Sequence, residues 1–70
     1  MTAGRALADA MAALDCGIGG RAWVVEVSEG VTTPTGRPAK HPVRAVVRSG
    51  RMAVRLWYTA GGELARVVCR

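Results

Sequence analysis

Phenylalanine is absent and the aromatic residues number three, Trp23, Trp57 and Tyr58, so a core has to be assembled from small aliphatic side chains. Acidic residues are few, five against ten Lys and Arg, and there is a single histidine, His41. That histidine sits between Lys40 and Pro42 with no carboxylate placed to orient it, and no nucleophile stands beside a base. No cofactor motif is present either, so a non-enzymatic binding protein without cofactors is the expectation. Long apolar runs are missing: Asp9 interrupts the Ala-rich start and Asp15 closes it, and neither a signal peptide nor a membrane span of about 20 apolar residues is expected. A soluble, cytoplasmic chain that does not engage a membrane fits this pattern.

Cysteine is sparse as well. Cys16 and Cys69 lie far apart, and without further His or Cys at ligand spacing they do not make a metal site. Two reduced, partly buried thiols are the expected state, with a disulfide from the helix end to the last strand as the alternative. The run Cys16-Gly17-Ile18-Gly19-Gly20 has the glycines of a phosphate-cradling loop. Such loops follow a strand and open a helix, whereas this one follows a helix and opens a strand, so it reads as a helix stop and connector. Glu26 and Glu29 do not share a strand face and form no acid/base pair.

What the chain does contain is a half-apolar composition over 70 residues with a net charge of +5. One small domain, 1–70, accounts for that length, and a chain of this size buries only about 60% of its unfolded surface. Charge is divided unevenly: residues 1–35 carry a net −2 and residues 36–70 a net +7. An anionic partner is therefore to be sought in the second half.

Residues 3–15 have helical periodicity, with Leu7, Met11, Leu14 and Ile18 as the apolar stripe, Thr2 as N-cap and Gly17 as the stop. Asp9 falls on the solvated side of that helix, and the Ala residues allow close backbone approach. Residues 21–28 alternate as a strand with Trp23, Val25 and Val27 on one face. Residues 29–42 hold Pro34, Pro38 and Pro42 and form a long loop or β-arm that turns near Pro34-Thr35-Gly36. Residues 43–58 are two alternating runs whose turn falls at Ser49-Gly50, pairing Arg48 with Arg51 and Arg44 with Arg55. A second turn at Gly61-Gly62 leads into a last strand. An even-length turn there sets Ala65, Val67 and Cys69 toward the core and Leu64, Arg66, Val68 and Arg70 with the arginines, while a three-residue loop reverses this. The fold expected is α+β, an N-terminal helix on a four-stranded antiparallel meander, with a small β-barrel as the alternative.

One face of this sheet then gathers Arg44, Arg48, Arg51 and Arg55 with Trp57 at its end, joined by Arg66 from the last strand and by Arg37 and Lys40 from the arm. Arginine presents a planar donor fork to phosphate or carboxylate and stacks on bases, and an indole offers a stacking surface. The expected partner is nucleic acid, held by its phosphates, or an acidic surface of a protein or nucleoprotein complex. A solvated face kept charged to prevent edge aggregation is the plain alternative. Size without catalytic residues also fits, by analogy, a phage or mobile-element inhibitor or adaptor, for example of a CRISPR effector, acting by steric occlusion. A homodimer through an exposed edge strand is a third expectation.

Overall fold

The computed structural model describes residues 2–13, 17 and 21–69. One helix, α1 (Ala3–Ala12), precedes four strands, β1 (Trp23–Ser28), β2 (Val43–Ser49), β3 (Met52–Tyr58) and β4 (Leu64–Cys69). They form a single antiparallel sheet in the order β1-β2-β3-β4, an α+β meander. The sheet is open, so the barrel alternative does not hold. No helix among the described residues is long and apolar enough to cross a membrane.

Helix α1 starts where expected, the Thr2 hydroxyl accepting from the Arg5 amide at 3.2 Å. It ends at Ala12 with Ala13 as C-cap rather than running to residue 15. Leu14 and Ile18 lie outside the described residues. Of the expected stripe, Leu7 is half-buried and packs on the core, but the centre of the buried face is turned from the expected one. Ala6 and Ala10 are fully buried while Met11 is 45% exposed. Two methyl-sized side chains let the helix backbone settle on β1, β2 and β3, where a Leu/Met stripe would hold it away. Asp9 is a correction of the same kind: it faces the sheet and accepts a 2.7 Å hydrogen bond from the Tyr58 hydroxyl.

Under the helix the core consists of Ala6, Ala10, Ala45, Val47, Val54, Leu56 and Tyr58. The alternation of β2 and β3 produces it: odd residues of β2 and even residues of β3 point to the helix, and the others point outward. Ser49 pairs with Met52, so the two-residue turn is Gly50-Arg51, one step beyond the expected Ser49-Gly50. Gly50 has φ of +60° and is the first central residue, as a hairpin turn with an ordinary residue in second place requires.

Two bulges reset the faces of the edge strands. The register shifts between Val24 and Glu26, so Trp23, Glu26 and Ser28 share the outer face while Val27 lies opposite Ala45 on the helix side. Trp23, Val25 and Val27 therefore do not share a face. Strict alternation from Trp23 would have sent the Glu26 carboxylate toward the core, and the bulge avoids that burial cost. Between β3 and β4, the Thr59 amide donates to Glu63 O at 2.8 Å around a three-residue loop in which Gly62 has φ of +87°. The loop alone would reverse β4, but a second shift between Trp57 and Tyr58 reverses it back. Val67 and Cys69 thus face the helix side and Arg66 and Val68 the outside, as expected, whereas Leu64 pairs with Tyr58 on the opposite side from the arginines.

Residues 29–42 extend the β1–β2 hairpin as a β-arm, with Ala39 N donating to Val31 O at 3.0 Å and Thr33 N to Arg37 O at 2.7 Å. Its turn spans Thr33–Arg37, with Gly36 at φ of +83°. Cys69 is disulfide-bonded, which corrects the expectation of a reduced thiol; Cys16 and Arg70 lie outside the described residues.

Candidate nucleic-acid interface

The outer face of the sheet is a grid of cross-strand rows set by the register. One row reads Ser28, Arg44, Trp57, Arg66 across β1 to β4; the next reads Glu26, Val46, Arg55, Val68; a third reads Trp23, Arg48, Ala53. Among the described residues no two arginines stand directly opposite one another in the sheet, so the expected Arg48–Arg51 and Arg44–Arg55 pairs are both overturned. The one-residue shift of the turn places an apolar or aromatic side chain between neighbouring guanidinium groups and relieves the like-charge repulsion of the alternative register.

Trp57 is the centre of its row, half-buried, with Arg44 beside it on β2 and Arg66 on β4. The Arg66 guanidinium lies 5.2 Å from the indole centroid, in cation–π geometry. A stacked guanidinium keeps its N–H donors at the edge of the plane, where they remain available to an oxyanion. On the β2 side of the indole a groove of about 180 Å³ opens, walled by Glu26, Arg44, Arg55 and Trp57 and floored by Val46. Among the described residues, Arg5 and Asp9 form an ion pair on the helix side, whereas Glu26, the carboxylate that shares the outer face with these arginines, is ion-paired with none of them.

The other expected site residues are dispersed. Arg48 shares the outer face but lies two rows from Trp57, and Arg51 is in the hairpin turn at the far end of the grid. Arg37 and Lys40 are exposed on the arm, outside the groove lining. The groove therefore unites Arg44, Arg55 and Trp57, with Arg66 backing the indole, and adds Glu26, which sequence reasoning set aside. Its signal was the Glu26-x-Ser28 spacing: on a common face the Ser28 hydroxyl donates to Glu26 Oε1 at 2.8 Å.

A second polar cluster, also unforeseen, ties the helix to the sheet. Arg5 Nε lies 3.6 Å from Asp9 Oδ2 and the Arg5 guanidinium 5.3 Å from the Tyr58 ring centroid. Burial, then the hydrogen bond and charge of Asp9, push the Tyr58 phenol well above its ordinary value, against the opposing pull of Arg5. Comparison with protein-family models, curated proteins and solved structures finds no match for this chain.

Proposed function

We propose that the protein is a small, non-enzymatic, basic binding module whose outer sheet face holds the phosphates of nucleic acid. The observation that carries this reading is the Arg44–Trp57–Arg66 row, a half-buried indole between two guanidinium groups, one of them stacked on it. An indole flanked by planar donors suits a strand whose bases can stack while its backbone is neutralised alongside. Arg55 belongs to the groove wall, Arg48 extends the positive surface beyond it, and Arg37 and Lys40 offer phosphate contacts from the arm.

The test is an anisotropy titration of labelled single- and double-stranded DNA and RNA with nucleic-acid-free protein across a salt series. Binding with a log–log salt slope worth three to five phosphates is expected, at about 0.7 to 0.9 per contact. Arg44→Ala and Arg55→Ala should each lower the slope by about 0.7 on a single strand. No binding at low salt would overturn the reading. The cytoplasmic location that goes with it exposes the Cys69 disulfide to reducing conditions, so the titration is run in both redox states.

A second reading, a phage or mobile-element type inhibitor or adaptor that occludes a protein surface, rests on one observation. Val46 and Val68 interleave with the arginines and Trp57, and mixed Arg and Trp anchors on an apolar ground suit a protein interface. Recovery of one stoichiometric protein partner, with no oligonucleotide affinity, would favour it.

A further inference from the structure

We propose that the groove between Glu26, Arg44, Arg55 and Trp57 receives one unstacked base of the bound strand and that Glu26 selects guanine there. This rests on the nucleic-acid reading above and adds a base preference to it. Three observations carry it. The first is size: a groove of about 180 Å³ is smaller than the roughly 300–1,000 Å³ that drug-sized ligands occupy, and suits a single planar ring system.

The second is the placing of opposite chemistry on opposite walls. Glu26 on β1 and Arg55 on β3 both pair with Val46, which lies between them as an apolar floor. Guanine is the base whose two edges divide in the same way. Its N1–H and N2–H₂ donors point together at one acceptor group, and its O6 and N7 acceptors point together at a donor fork. Adenine would turn N1, an acceptor, toward the carboxylate. Uracil and thymine flank their single N3–H with two carbonyls.

The third is the state of Glu26 itself. It stands among arginines of the grid yet pairs with none of them, accepting from the Ser28 hydroxyl instead. That bond uses part of one oxygen's acceptor capacity, and because the Glu26 side chain is exposed its remaining capacity is open to a base. The β1 bulge is what brings it to this face at all.

The experiment uses fluorescein-labelled oligouridines roughly a dozen nucleotides long, unaltered or with a single central G, C or A, titrated with wild-type protein and Glu26→Gln. The wild type is expected to bind the G-containing strand about five- to tenfold more tightly than the others, the low end for a bidentate base contact on an open surface. In Glu26→Gln that preference should fall to about twofold or less, while affinity for plain oligouridine rises because a negative charge has left the phosphate path. Equal wild-type affinity for all four strands would overturn the base preference and leave the phosphate reading standing. Retention of the G preference in Glu26→Gln would overturn the role of Glu26. Failure of every strand to bind would remove the reading on which both rest.

Discussion

Tyr58 carries more of this structure than any other side chain. Its ring is fully buried, its hydroxyl reaches Asp9, and Arg5 stacks over it. Removing the hydroxyl in Tyr58→Phe leaves the packing and the Arg5–Asp9 pair but takes a hydrogen-bond donor from a half-buried carboxylate, and should cost about 1–2 kcal/mol in urea denaturation. The raised phenol pKa also sets a pH dependence. A folded-state value above the unfolded 10.0 means the neutral phenol stabilises the fold fully below that pH, and the contribution is lost as pH rises beyond it. Wild-type urea midpoints should therefore begin to decline near pH 10 and keep falling above it, whereas Tyr58→Phe should lack this part of the decline.

At the level of elements, two glycines predict opposite outcomes from the same substitution. Gly50 holds φ of +60° at the β2–β3 turn and an added Cβ would meet nothing within 4 Å, so Gly50→Ala isolates backbone strain. A loss of about 1–2 kcal/mol is expected. Gly4 lies inside α1, also with open space around an added Cβ and with no positive φ. Gly4→Ala should stabilise by about 0.5–1 kcal/mol through helix propensity and the unfolded-state entropy of glycine. Chemical denaturation of both variants, read against the wild type, checks the pair of signs. The bulges are the third element-scale device: each alters which side chains an edge strand presents, and together they decide that Glu26 and Arg66 face out.

The whole molecule rests on a thin core. Among the described residues seven side chains are buried, two of them larger than valine, which fits a chain of this length near the lower end of domain stability. A covalent tie then matters in proportion. Reduction of the Cys69 disulfide, or Cys69→Ser, should remove about 2–4 kcal/mol, seen as a lower thermal midpoint that reductant no longer shifts in the variant. The open sheet and the projecting arm give the molecule its long dimension, 37 Å against 21 and 18 Å. Helix α1 packs on the other face, so among the described elements none covers the outer grid from β1 to β4.

Much of this architecture is legible without coordinates. The helix start at Thr2, the outward arginines and inward aliphatics of β2 and β3, and the arm with its turn near Pro34 follow from local rules of capping, period and proline chemistry. Parity survives a register error, because moving the turn from Ser49-Gly50 to Gly50-Arg51 shifts partners by two and returns each side chain to the same face. What periodicity could not supply were the partners across the sheet, the two bulges, the rotation of α1 onto its alanines, and the bonded state of Cys69. These depend on groups distant in sequence: Asp9 turns inward because Tyr58, 49 residues on, offers it a hydroxyl. The charge on the outer face was thus written in the residues, and the groove that Glu26, Arg44, Arg55 and Trp57 enclose arose only when three strands came into register.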